Sequence, residues 1–238
     1  MNKVLKNSFR IILLSLVLFL IAGCNGKQAN VKAAGQTKNQ LSAWTVYWDA
    51  EEGSKEFRRL EKRLDEVCLF GAYFEEDGNL FLPEELTFDK RVAKKKKQLV
   101  EYLTIVNDRV LSDGGKEYKK TEFLQELLND QERRKEHIDE IIALAKAERF
   151  DGVEIDYERI WKDCETKDTF LPFIKELYAA TTANNLKLRV VLEPGTPFND
   201  IELPPGPKYV VMLYNLYGMH SGPGPKADKK KKKKVLGK

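Results

Sequence analysis

Histidine, cysteine and long apolar runs are all scarce in this sequence. Two histidines, His137 and His220, and three cysteines stand among 238 residues. Neither residue type shows metal-ligand spacing, so no metal and no other cofactor is expected. Cys68 falls in a strand-like run and Cys164 in a loop, and two such residues define no disulfide framework. Both are expected as unpaired thiols. The most apolar segment, residues 11–22, is broken by Ser15 and is short of the roughly 20 residues that cross a bilayer. Basic charge is also missing from the body of the chain. The whole carries +4, but residues 1–23 contribute +3 and residues 226–238 contribute +7, which leaves −6 on residues 24–225. An acidic body excludes a nucleic-acid-binding surface, which needs clustered basic residues on the folded domain.

The two ends have their own composition. Lys3, Lys6 and Arg10 precede the short apolar run, and small residues follow it, which is the order of a secretory signal. The run ends in Ile21-Ala22-Gly23-Cys24, which resembles a bacterial lipobox. That resemblance implies cleavage before Cys24, lipid on its sulfur, and a secreted lipoprotein anchored on the extracytoplasmic face of the membrane. Residues 24–43, polar and without apolar period, predict a flexible tether. At the other end, Lys229–Lys234 forms a block of six like charges that predicts a disordered tail over 229–238.

From Trp44 onward, short β-branched or aromatic runs alternate with helical stretches. Strands are predicted over 44–48, 67–74, 99–106, 153–157, 188–192 and 209–214, with Gly78-Asn79 turning the chain into 80–82. Helices are predicted over 55–64, 131–149 and 170–180. In the second, Ile138, Ile141, Ile142 and Ala145 repeat on one helix face. In the third, Thr169 is the expected cap and Pro172 falls in the first turn. Such alternation predicts an α/β fold with a parallel sheet, barrel or doubly wound. In a barrel, functional residues gather where the strands run into the following helices.

The segment 150–158 concentrates the chemistry. Side chains alternate along a strand, so Glu154, Asp156 and Glu158 share one face while Val153, Ile155 and Tyr157 share the other. Three carboxylates in a confined space raise at least one pKa, and a protonated carboxylic acid is what general-acid catalysis requires. A half-exposed strand with an acidic outer face is the plain alternative. Asp151-Gly152-Val153-Glu154-Ile155-Asp156-Tyr157-Glu158 resembles the D-G-x-D-x-D-x-E signature of family 18 glycoside hydrolases, with Glu154 where Asp is usual. Met212-Leu213-Tyr214-Asn215 is similar to the family's M-x-Y-D/N element, and Ala72-Tyr73-Phe74 to the end of its second strand. The S-x-G-G pattern common after the third strand is absent, with Asn107 and Asp108 in its place.

The resemblance implies a (β/α)8 barrel of TIM type over residues 44–228 and substrate-assisted, retaining hydrolysis. The substrate would be a β-1,4-linked N-acetylglucosamine glycan, either peptidoglycan or chitin. It implies Glu158 as general acid and base, Asp156 as partner of the acetamido group, Glu154 sharing a proton or hydrogen bond with Asp156, and Tyr214 as donor to the acetamido carbonyl. Asn215 would contact sugar hydroxyls. Trp48 and Tyr47 are candidate stacking surfaces and Glu193 a candidate sugar contact, with core packing and loop capping as their alternatives. A monomer is expected. An eight-stranded barrel takes about 250 residues, yet only six strands precede the lysine block. The expectation is therefore an incomplete barrel of about six of eight βα units, cut short at its C-terminus. A non-catalytic carbohydrate-binding relative and a nonfunctional fragment both remain open at this point.

Overall fold

The structure, a computed structural model, describes residues 39–83, 99–162, 164–214, 217, 221–225, 227–230 and 233. From Gln40 onward these residues belong to one unit. Cys24, Asn215 and His220 lie outside the described residues, as do the leader and most of the tether. The side chain of Cys164 is likewise not described. Within the tail, Lys229, Lys230 and Lys233 carry helical backbone where a disordered segment was predicted. No helix among the described residues is long and apolar enough to cross a membrane.

Six strands run parallel: β1 (Ser42–Val46), β2 (Glu66–Glu75), β4 (Val100–Val110), β6 (Gly152–Asp156), β7 (Lys187–Leu192) and β8 (Lys208–Val211). They pair in that order, so β1 and β8 form the edges of this parallel array. Two short strands add antiparallel flaps, β3 (Leu80–Phe81) on β2 and β5 (Lys116–Glu117) on β4. The helices are α1 (Ala50–Leu60), α2 (Glu122–Asn129), α3 (Gln131–Ala147) and α4 (Cys164–Ala183).

Period-two alternation sorts the sheet into two chemically different faces. Val67, Leu69, Leu103, Ile105, Val153, Ile155, Leu188 and Val190 join the helical residues Leu128, Ile138, Ile141, Phe173 and Leu177 in one apolar core. Burying side chains of this size stabilises by about 1.5–3 kcal/mol each. The intervening residues, among them Cys68, Tyr102, Thr104, Glu154 and Arg189, stand on the other face and are also buried. Tyr157 fixes the register just beyond β6. Its ring stacks on Phe173 at 6.0 Å, and its hydroxyl lies 2.8 Å from His137 Nε2. Burial lowers the pKa of His137 and so favours its neutral form.

Several predicted boundaries move, each for a local reason. Tyr47 and Trp48 do not finish β1; with Asp49 they form a 3-10 turn leading into α1. Strand β4 runs on through Asn107, Asp108 and Arg109, because Arg109 and Val110 pair with Glu117 and Lys116 of β5. Helix α4 starts at Cys164, so Pro172 lies inside it rather than in a first turn. Thr169 does not cap; its hydroxyl donates to the carbonyls of Glu165 and Thr166 just before the proline removes a backbone donor. Helix α3 has a true cap in Asp130, whose carboxylate accepts from the Arg133 amide at 2.9 Å.

Glycine is required at two places facing the site. At Gly152 a Cβ would meet the Lys187 carbonyl oxygen at 2.5 Å and the Tyr102 ring at 2.8 Å. The bare backbone lets Tyr102 lie against β6. Gly71 interrupts the β2–β4 register with φ at +128°, and a Cβ there would sit 2.9 Å from the Tyr47 ring. Gly152→Ala should cost about 2 kcal/mol of stability by overpacking against backbone. Urea unfolding measures this, and an unchanged midpoint would refute the close packing of Tyr102 on β6.

Candidate functional site

Glu154 and Asp156 stand on one face of β6, opposite the helices, with Glu158 just beyond its end, and each meets a different neighbour. Glu154 is fully buried. Its Oε1 accepts from Trp44 Nε1 and Thr104 Oγ1, both at 2.8 Å, and Cys68 Sγ lies 3.6 Å from Oε2. Arg189, one strand away and in register with Glu154, brings Nε to 2.5 Å of Oε2. This contact is an ion pair without an aimed N–H, since Nε has no partner in hydrogen-bonding geometry. Arg189 Nη1 donates to Glu66 Oε2 at 2.9 Å, and Lys208 Nζ reaches Glu66 Oε1 at 2.5 Å. The Arg189 guanidinium also lies over Trp44, 4.9 Å from the ring centroid. Two carboxylates and two cations therefore balance inside the sheet, with every parallel strand contributing a residue. Burial, followed by the Glu154 charge, pushes the Cys68 thiol well up, so it stays protonated.

This network corrects the expected part for Glu154. No hydrogen bond joins it to Asp156 among the described residues. It is held by Arg189, Trp44 and Thr104 instead, because its extra methylene carries the carboxylate toward β1 and β7. Asp156 is left to dispose of its own charge. It is 7% exposed, and its Oδ1 is buried without a partner. Burial, and then the charges of Glu158 and Glu154, push its pKa up to about 8. Near neutral pH the carboxyl of Asp156 therefore carries a proton.

Glu158 follows the end of β6 and is clamped by its backbone. Its amide donates to Asn107 Oδ1 at 2.9 Å, while Asn107 Nδ2 donates at 3.1 Å to the Glu158 carbonyl and at 3.1 Å to that of Lys120. The Glu158 carboxylate is ion-paired with Lys119 Nζ. Lys119 has φ at +55°, and its amide donates to Asp108 Oδ1 at 2.9 Å. The next residue, Arg159, also has positive φ, and its amide donates to Glu193 Oε2 at 2.7 Å. Glu193 thus caps this turn, which is the second of its two expected roles.

Tyr214, just past β8, is half exposed and donates to Met212 Sδ at 3.1 Å. Burial, then Asp156, Glu158 and Glu154, raise its pKa, so its hydroxyl lies within electrostatic reach of all three acids. Tyr47 and Trp48 lie further along, with ring centroids 5.0 Å apart. They line a cavity of about 290 Å³ together with Tyr73, Asp108, Lys116 and Tyr118. Trp48 and Tyr118 are about 60% exposed at its rim. No group of three or more His, Cys, Asp or Glu side chains among the described residues is placed to hold a metal ion.

The family model for glycosyl hydrolases family 18 matches residues 43–232. The chain belongs to that family. No curated protein sequence matches this family 18 chain, but solved structures do. A class V chitinase from Pseudomonas fluorescens Pf-5 aligns with TM-score 0.67 and 22% identity, over 84% of this chain and 64% of that one. The spore cortex-lytic enzyme SleL of Bacillus cereus aligns with TM-score 0.64 and 17% identity, over 84% and 48%. A class V chitinase from Nicotiana tobaccum, solved in complex with NAG4, aligns with TM-score 0.62 and 16% identity, over 78% and 55%. The chain spans less than two thirds of the length of each. Its six parallel strands form a half-barrel, the partial TIM barrel of the family.

Three contributors to this cluster of acids were not singled out in the sequence. Arg189 interrupts an otherwise apolar strand on the face opposite Leu188 and Val190, and that charge was the available signal. Asn107 drew notice only as a departure from S-x-G-G, and its carboxamide is the clamp on Glu158. Lys119 gave no signal at all. Arg189→Leu should destabilise the fold by about 3–5 kcal/mol, because it strands buried carboxylates. Combining it with Glu154→Gln should restore much of that loss in urea unfolding. A cost below about 1 kcal/mol for Arg189→Leu alone would show that the ion network does not hold the inner face together.

Proposed function

We propose that this domain hydrolyses β-1,4-linked N-acetylglucosamine-containing glycan, in peptidoglycan or chitin, by substrate-assisted retaining catalysis. The observation that carries the proposal is the succession at the end of β6: a buried, protonated Asp156, a backbone-clamped Glu158, and Tyr214, whose hydroxyl feels the charge of both. Family 18 enzymes lack a carboxylate nucleophile and use one supplied by the substrate. Glu158 takes up the proton held by Asp156 and gives it to the leaving oxygen as the acetamido carbonyl oxygen bonds to the anomeric carbon and the glycosidic bond breaks. Asp156 accepts the acetamido N–H through Oδ1, which has no other partner. Tyr214 turns its hydroxyl from Met212 Sδ to donate to the acetamido carbonyl. Water then attacks the anomeric carbon, Glu158 takes its proton, and the acetamido group is released unchanged. Asn215 contacts sugar hydroxyls, and Tyr47 and Trp48 offer stacking surfaces along the adjoining cavity. Lipid on Cys24, exposed by cleavage of the leader, anchors the domain to the extracytoplasmic membrane face.

Glu158→Gln should lower turnover of a chromogenic N-acetylglucosamine oligomer by at least about 100-fold, the share that general acid–base catalysis commonly supplies. Binding followed by tryptophan fluorescence should change little. Wild-type turnover in this variant would rule out the assignment of Glu158.

A further inference from the structure

Lys119 sits where the proposed chemistry needs an open oxygen. Its ammonium is paired with Glu158 Oε1, and its own backbone is pinned by the Asp108 carboxylate at 2.9 Å. The pinned residue is the one with positive φ, so the turn holds the root of the side chain while four methylenes leave the ammonium free to swing. The Lys119 side chain is 39% exposed and that of Glu158 is 21% exposed, so the pair faces the open side of the site. The nearby cation Arg109 is already engaged: its guanidinium donates to Glu117 Oε2 and to the Glu76 carbonyl. Lys116 lines the aromatic cavity next to this turn. Lys116 and Tyr118 of the cavity lining and the ion-paired Lys119 thus follow one another closely along the same turn.

We infer that Lys119 is a specificity-determining residue that selects N-acetylated glycans bearing a free carboxylate, as on the lactyl ether of peptidoglycan strands stripped of their stem peptides, over neutral chitin-type chains. This inference rests on the hydrolase reading above. For Glu158 to take up a proton from Asp156 and deliver it to the leaving oxygen, the ammonium must leave Oε1. A neutral sugar offers it only hydroxyls in exchange for a carboxylate. A sugar with an ether-linked carboxylate offers a like partner, so the ion pair is exchanged rather than broken and Glu158 is released to the glycosidic oxygen. Trp48 and Tyr118 present ring faces that suit either glycan. Discrimination therefore falls to the charge.

The test compares two soluble oligosaccharides of equal length, one of N-acetylglucosamine alone and one with lactyl carboxylates on alternate sugars. The full chain, Lys119→Met and Lys119→Arg are assayed for kcat/KM, and affinities are followed by tryptophan fluorescence. Wild type should prefer the acidic glycan by about tenfold or more, the effect expected of one charge pair in a partly desolvated site. Lys119→Met should erase that preference, chiefly through a gain in kcat on the neutral glycan, while Lys119→Arg should keep it. An unchanged ratio in Lys119→Met, or an equal loss on both glycans, would overturn the inference and leave the hydrolase reading standing. If no protein turns over either glycan, the hydrolase reading falls and the affinity ratio decides. Loss of the acidic preference in Lys119→Met would then sustain the selectivity, and equal affinities would refute it.

Discussion

Three carboxylates on one strand face cannot all remain charged in a dry interior, and the whole inner side of this half-barrel is arranged around that constraint. Each acid is answered differently. Glu154 is matched by Arg189, whose other arm holds Glu66, which Lys208 also reaches. Asp156 has no cation and keeps a proton instead. Glu158, nearest the open side, is paired with the one partner able to leave, the flexible Lys119. The order along the strand runs from permanent neutralisation to exchangeable neutralisation, and the outermost acid is the most exposed of the three.

This arrangement also explains what fills the inner face. A closed barrel packs its interior with layers of branched apolar side chains. Here Trp44, Cys68, Tyr102 and Thr104 surround an ion lattice, and the branched residues are gathered on the outer face with the helices. A buried ion pair is weak evidence for stability, because desolvation offsets most of the attraction. Its effect here is better described as fixing geometry: Glu154 cannot turn toward Asp156 while Arg189, Trp44 and Thr104 hold it. The Tyr157–His137 contact does the same from the other side, locking the register that points 154, 156 and 158 inward.

Much of this was legible in the sequence because it depends on short periods. Alternation over 153–157 divided acids from apolar residues, and the strand–helix rhythm anticipated six parallel strands. What escaped depends on contacts between distant segments. The match of Glu154 with Arg189 exists only through the β6–β7 register, and spacing along one strand does not reveal its neighbour. Lys119 lies in a hairpin whose second strand is two residues long, too short for any period, so the region merged with the helices after it. Polar Asn107 and Asp108 looked like the end of a strand, yet their carboxamide and carboxylate organise the turn above it. In each case the misleading feature was a polar residue whose partner lay more than ten positions away.

The most direct check of this account is a carboxyl-carbon NMR titration of Asp156 in the full chain, assigned by its loss in Asp156→Asn. A midpoint at about 8 is predicted, set by burial and by the neighbouring Glu158 and Glu154 charges. A midpoint in the ordinary carboxylate range, about 4, would mean that the acids on this strand are hydrated and independent, and would contradict it.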